Sequence, residues 1–279
     1  MTTSLSLDLP FDLIQSLRLA HAVMETTYEV CLAPQDEEKF LLLKQKFGAK
    51  YKITAELPSK LLGVKISHRE PKISIGSIER PLIFPHSIFS YCESLWSEYR
   101  DIRFSFAGLM TESRKDFFLK IIELNCLDSK FSLKNFTHPS LLSKLKLKVE
   151  QKLGAQKIPR AAKFRYDDIV FWSSERGRNF PIKAWDDDYF RLLATSEFVL
   201  CPSGDYIWTY RFFEATMCGA IPIIENYCSA YDGFRFRTID ELLSTMKWSR
   251  EDAEYNYNLC RSRLTVPIDL LQKEIEILF

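Results

Sequence analysis

A chain of 279 residues with 46% hydrophobic, 27% charged and 14% aromatic residues has the composition of a soluble globular protein, long enough for one large core or two ordinary ones. The charges nearly cancel, 38 basic against 37 acidic for a net of +1, so bulk electrostatics point to neither nucleic acid nor an anionic membrane as partner. No apolar run reaches membrane-spanning length, which leaves peripheral contact as the membrane role still open.

The seven cysteines (Cys31, Cys92, Cys126, Cys201, Cys218, Cys228 and Cys260) are odd in number, form no CxxC pair and sit in mostly apolar contexts. That usage fits a reducing compartment, and a cytoplasmic location is expected. The N-terminus lacks a basic leader and carries Asp8 and Asp12 early, which is not the pattern of a signal peptide.

In chain order, Leu13 to Tyr28 shows mixed helical spacing, and Glu37 to Phe47 reads as a helix stopped by Gly48. Short apolar runs come next at Leu61 to Ile66, Ile73 to Ile75 and Leu82 to Phe84, the last bracketed by Pro81 and Pro85; Ile88 to Trp96 looks helical. From Ile102 the pattern is regular. Ile102 to Leu109 predicts a strand with Gly108 at its end, and Ser113 to Leu124 an amphipathic helix. Residues 126–165 are basic and irregular, with a helix expected near Ser140 to Leu153. Asp168 to Trp172 is a buried strand, Asp187 to Ala194 a helix, Phe198 to Cys201 a strand, Trp208 to Cys218 a helix and Ala220 to Ile224 a strand. Pro222 is expected at the first residues of that strand, where a missing N–H is tolerated. Thr238 with Glu241, and Ser249 with Asp252, have capping-box spacing; two helices complete the chain, the last opened by Pro267. Alternating strands and helices imply βαβ units and a mostly parallel sheet over residues 102–262.

The chemistry concentrates between Phe198 and Ile224. Ser203 and Gly204 follow a strand and precede a helix, the position where free N–H groups and the helix dipole can cradle phosphate. Asp205 is read as a helix cap. Arg211 and Glu214 lie three apart on the helix, hence on one face. A guanidinium there can neutralise a diphosphate, and a carboxylate can accept from both ribose hydroxyls. An exposed salt bridge between the two is the plainer alternative. The WSSERGR loop after the DIVFW strand brings Ser173, Arg176 and Arg178 to another strand end, either as ligand contacts or as a solvated loop. The basic stretch Lys144, Lys146, Lys148 and Lys152 is read as a solvated helix face.

The segment SEFVLCPSGDYIWTYRFFEATMCGAIPII, together with FSFAGLMTESRK upstream, resembles the donor domain of exostosin-like glycosyltransferases. The resemblance covers residues 102–225 and not the first hundred. It implies a GT-B architecture of two Rossmann-like domains facing a cleft: a reduced acceptor-side domain over 1–100, a nucleotide-sugar domain over 101–265 and a C-terminal helix over 266–279. By that resemblance Arg211 contacts the donor diphosphate, Glu214 the ribose and Arg114 a phosphate, while Ser203 and Gly204 line the site.

Asp186-Asp187-Asp188 carries the DxD spacing that binds Mn²⁺ in GT-A enzymes, but it opens a helical pattern, and capping is the favoured reading. No divalent metal or other cofactor is expected. An inverting transfer needs a base in the N-terminal half. His21, Glu25, His68, Glu70, Glu79 and His86 are candidates, and His86, just after Pro85, is read as a strand-end group facing the cleft; His138 is weaker. The expected activity is transfer of a sugar from a UDP-sugar to a hydroxyl of a glycan acceptor. A metal-dependent GT-A or fucosyltransferase-like enzyme, or a non-catalytic nucleotide- or glycan-binding protein, are the rivals.

Overall fold

A computed structural model describes residues 3–58, 61–108, 112–123, 162–166, 169–173, 185–243 and 246–278. The first unit runs β1 (Ser4–Leu7), α1 (Ile14–Met24), β2 (Glu29–Leu32), α2 (Glu37–Phe47), β3 (Tyr51–Ile53) and β4 (Leu61–Leu62). Its four strands are parallel in the order β3-β2-β1-β4. Gly48 ends α2 at φ +68°, where its N–H reaches Leu43 and Lys44 carbonyls; the left-handed turn favours glycine over residues with a Cβ. The chain runs from β1 to β3 on one side of β1 and then places β4 on the other. That reversal puts the β1–α1 loop at a topological switch point.

The apolar run Leu61 to Ile66 is not one strand. It divides between β4 and β5 (Lys65–Ser67), which starts an antiparallel meander with β6 (Lys72–Ile75) and β7 (Ile78–Arg80). Leu82 to Phe84 forms no strand either, since Pro81 and Pro85 remove two ladder donors; its apolar side chains are buried all the same. α3 (His86–Ser94) begins at once.

The second unit holds β8 (Ile102–Gly108), α4 (Glu112–Glu123), β9 (Ala162–Tyr166), β10 (Ile169–Ser173), α5 (Asp187–Ala194), β11 (Ser196–Cys201), α6 (Tyr210–Met217), β12 (Ile221–Ile224), β13 (Arg237–Thr238), α7 (Arg250–Leu264) and α8 (Ile268–Leu278). Its sheet order is β13-β12-β11-β8-β10-β9. All neighbours are parallel except β9, an edge strand antiparallel to β10 in a stretch whose sequence pattern is irregular. The expected helix near Ser140 to Leu153 and the lysines on it lie outside the described residues.

Side chains alternate across this sheet as a two-residue period requires. Phe198 and Leu200 of β11 and Ile221 and Ile223 of β12 enter a cluster with Phe117, Phe118 and Ile121 of α4. Val199, Cys201 and Ile224 face the other way, with Phe212 and Phe213 of α6. Helices therefore cover both faces, which is why the strands read as continuous apolar runs. Pro222 is the second residue of β12, and β13 pairs only from Ile223 onward, so the proline lies beside no β13 ladder position. Thr238 N–H does donate to Glu241 (2.8 Å), but it opens a short 3-10 turn rather than an α-helix. Ser249 caps α7 by accepting from Asp252 N–H.

The two units share one apolar cluster that includes Leu5, Val30 and Phe89 of the first and Phe212, Tyr231 and Tyr257 of the second. The last helix returns to the first unit: Glu274 accepts from the Ser77 backbone (2.5 Å) and hydroxyl (2.8 Å) at the β6–β7 turn. The architecture is thus α/β with two Rossmann-like parallel sheets, the GT-B arrangement that the resemblance implied.

Candidate active site

In the second sheet the chain leaves β8 toward β10 and leaves β11 toward β12, in opposite directions. The crevice between the carboxyl ends of β8 and β11 is therefore its switch point. Gly108 ends β8, and Ser203 and Gly204 come just after β11. Two arginines converge there. Arg211, in the first turn of α6, is buried (6% exposed); its Nε donates to the Ala107 carbonyl (2.5 Å) and its guanidinium carbon lies 4.5 Å from the Phe106 ring centre. Arg114, on α4, reaches from the other side, with Nε 3.4 Å from the Ser203 carbonyl.

The glycines make room for this approach. A Cβ on Gly108 would collide with Arg211 Nη2 and stand 3.6 Å from Arg114 Nη1; one on Gly204 would stand 2.8 Å from Arg114 Nη2. Burial pushes the Arg114 pKa down to about 10, the Arg211 charge adds to the fall, and Asp205 opposes it. At about 10 the Arg114 guanidinium still carries its charge at neutral pH. Arg211 Nη1 is buried with no hydrogen-bond partner among the described residues. A buried cationic donor left unpaired beside a second cation is unfavourable by itself and becomes favourable when an anion arrives.

The cradle differs in kind from the expected one. α6 begins at Tyr210 rather than Trp208, so an eight-residue stretch, 202–209, separates it from β11. Gly204 N–H is spent on the Tyr206 carbonyl (3.1 Å), and Ser203 Oγ donates to the Ile207 carbonyl (3.1 Å) while accepting from Asn226 (3.2 Å). Asp205 precedes the helix by five residues and cannot cap it; Thr209 is the N-cap residue, without a side-chain bond. The Gly204 N–H is thus turned into its own loop, and the positive charge at the crevice comes from the two guanidiniums.

Glu214 is buried (7% exposed), so the exposed-salt-bridge alternative fails. Its Oε2 accepts from the Tyr189 hydroxyl (2.6 Å), and its carboxylate offsets the burial that lowers the pKa of Arg18 on α1. Burial and then Glu214 push the Tyr189 pKa up, which keeps the phenol a donor. Neither Tyr189 nor Arg18 stands out in the sequence, because their partners lie in other elements. Tyr210 donates to Gln15 Oε1 (2.5 Å) in the first turn of α1, bringing the switch points of both sheets together.

The three consecutive aspartates diverge. Asp186 caps α5 by accepting from Tyr189 N–H (3.2 Å). Asp187 accepts from Tyr91 (2.7 Å), Trp185 (2.9 Å) and Lys46; burial would raise its pKa, but these partners hold it at about 2. Asp188 is exposed.

His86 does not end a strand. It opens α3, because the Pro85 N-cap position precedes a run free to coil, and its Nε2 lies 2.9 Å from the Val266 carbonyl. Glu25 caps that helix, accepting from His86 N–H (2.7 Å) and Ser87 N–H (2.8 Å). His21 is buried, and burial with the Arg18 charge drops its pKa to about 3. His68 sits in the turn between β5 and β6, and its carbonyl accepts from Trp208 Nε1 (3.0 Å). Ser173 is the register partner of Gly108, which places its backbone at the crevice; Arg176 and Arg178 lie outside the described residues. Among the described residues no cluster of three or more His, Cys, Asp or Glu side chains has metal-holding geometry, and no helix is long and apolar enough to cross a membrane.

Residues 172–243 match the RXYLT1 C-terminal domain family. No curated protein matches the chain significantly. Among solved structures, the GtfA/B complex is similar at 13% identity and TM-score 0.35, over 90% of this chain and 46% of the other. The pneumococcal O-GlcNAc transferase GtfA, in complex with UDP and GlcNAc, gives 11% identity and TM-score 0.35 over 90% and 45%. Anabaena Alr3699/HepE, in complex with UDP-glucose, gives 11% and 0.36 over 99% and 72%. The chain spans about half the length of the first two structures. Scores of this size add nothing to the strand order as evidence of fold. The family match covers about a quarter of the chain: it runs from the end of β10 through the Ser203–Gly204 loop and Arg211 to the strand beyond, and over that stretch the chain is similar to the RXYLT1 C-terminal domain.

Proposed function

We propose that this protein is a glycosyltransferase that binds a nucleoside diphosphate sugar, a UDP-sugar, in the crevice between β8 and β11, and transfers the sugar to a hydroxyl of a glycan acceptor with inversion. The observation that carries this reading is the buried Nη1 of Arg211, without a hydrogen-bond partner among the described residues and close to Arg114 beside two glycines. Two fixed guanidiniums match the two negative charges that a leaving diphosphate gathers as the glycosidic bond breaks. They are in place before the reaction, so little reorganisation is needed when charge develops. Arginine takes the part that a divalent cation plays in DxD enzymes, and the proposed reaction needs no metal. Glu214, oriented by Tyr189, is the proposed ribose acceptor.

A thermal-shift series tests it. UDP, UDP-glucose and UDP-xylose should each raise the melting temperature in EDTA-treated protein, by mass action on the native state. If none does, or if the shift appears only with Mn²⁺, the reading is wrong.

A further inference from the structure

The loop between β11 and α6 carries a feature that diphosphate binding does not use. Tyr206 and Ile207 are 43% and 50% exposed at its tip, two residues beyond Gly204. The Tyr206 ring lies nearly parallel to His68 (6.4 Å, 23°) and to Trp208 (6.5 Å, 19°). His68 comes from the β5–β6 turn of the first unit, so the row of rings crosses from one unit to the other beside the arginine cradle. An exposed tyrosine on a loop normally costs conformational freedom when it binds. This one is already held. Gly204 N–H and the Tyr206 carbonyl close the turn, Ser203 Oγ ties to the Ile207 carbonyl, Trp208 Nε1 to the His68 carbonyl, and Thr209 N–H to the Tyr231 hydroxyl (2.8 Å).

We propose that the Tyr206 ring, backed by His68 and Trp208, is the platform on which a pyranose ring of the acceptor stacks. The C–H-bearing face of a sugar is apolar and flat and fits an exposed aromatic ring, while its hydroxyls point sideways to polar groups. Arg69 and Glu70, both exposed on the His68 turn, supply such groups. The exposed tip is two residues wide, which suits one sugar ring and is far too small for a protein partner. A rigid tyrosine presents contact area at small entropic loss. The acceptor role rests on the donor reading above; the stacking itself does not.

Saturation-transfer NMR with methyl β-D-glucopyranoside, methyl β-D-xylopyranoside and uridine, alongside UDP titrations, tests the platform in wild type, Tyr206→Phe and Tyr206→Ala. Wild type and Tyr206→Phe should bind at least one glycoside alike, and Tyr206→Ala should bind it about fivefold or more weakly, with UDP affinity within about twofold of wild type. Glycoside binding that survives in Tyr206→Ala overturns the proposal, as does a wild type that binds neither glycoside. Loss of uridine and UDP binding in Tyr206→Ala also overturns it, by assigning the ring to the nucleobase. Absence of UDP binding to wild type sinks the donor reading alone, because the glycoside arms still report on the ring.

Discussion

Arg114 and Arg211 approach each other over Gly108, from helices on opposite faces of one sheet, and the buried Nη1 of Arg211 has no partner among the described residues. Like charges at such a place persist because packing holds both stems: Phe106 and the Ala107 carbonyl fix Arg211, while Phe117 and Phe118 anchor the helix that bears Arg114. Gly108→Ala should break the arrangement. Its φ of +156° suits glycine, and the added Cβ would occupy the space of Arg211 Nη2. UDP affinity should fall by about tenfold or more, and isothermal titration would measure it. Unchanged affinity would mean that the arginines do not hold the nucleotide.

Arg211→Ala and Glu214→Gln separate charge neutralisation from nucleotide recognition. Arg211→Ala should lower turnover more than UDP affinity, by about 2–4 kcal/mol. Glu214→Gln should chiefly weaken nucleotide binding, and less for 2′-deoxy-UDP than for UDP. An exposed helix pair would leave stability untouched, but both residues are buried. Each change should therefore also cost about 1–3 kcal/mol of stability, since the Ala107 carbonyl loses its donor in one and the buried Arg18 charge loses its counter-charge in the other. Denaturant melts alongside kinetics give both numbers.

Tyr189→Phe removes one hydroxyl and leaves the ring against Phe190. The hydrogen bond to the Glu214 carboxylate is charge-assisted, so its loss should cost about 1.5–3 kcal/mol of stability. Nucleotide affinity should fall with it if Glu214 needs that bond for its orientation. A variant as stable and as tight-binding as wild type would remove Tyr189 from the site.

Asp186→Ala and Asp188→Ala distinguish a helix cap from a metal motif. Asp186→Ala should lose about 1 kcal/mol of stability with its N-cap bond, and Asp188→Ala should lose little. UDP binding in EDTA should survive both. Selective loss of Mn²⁺-dependent activity in the two variants would restore the DxD reading.

Stability should fall in mild acid because of His21. Its folded pKa is about 3, against 6.5 for a free histidine, through burial and the neighbouring Arg18 charge. The unfolded chain takes up a proton near pH 6.5 and the folded one does not. This contribution is thus intact above pH 6.5 and is lost as pH falls from there toward 3, at up to about 1.4 kcal/mol per pH unit. His21→Gln should flatten urea-melt stability across that window; an equally steep profile would assign the loss to other groups.

Local pattern was enough for the parallel sheet of the second unit. Apolar runs such as FVLC and IPII, separated by helical spacing, result from covering both faces of a sheet, and that requirement is written into each strand separately. Gly48, Ser249 and Asp186 marked helix ends because capping involves neighbours in sequence. Arg211 and Arg114 were legible as residues, through motif resemblance. Only the tertiary structure decided how they are used. That Gly204 N–H is spent within its own loop, that Glu214 is buried against Tyr189 and Arg18, and that His86 opens a helix against Val266 are facts of the folded chain, the last two set by partners from about 25 to about 200 positions away. Sequence spacing identifies which side chains share a face of one helix. It contains no term for the second element that arrives to bury that face, and burial is what gives Arg211 and Glu214 separate partners in place of a surface ion pair.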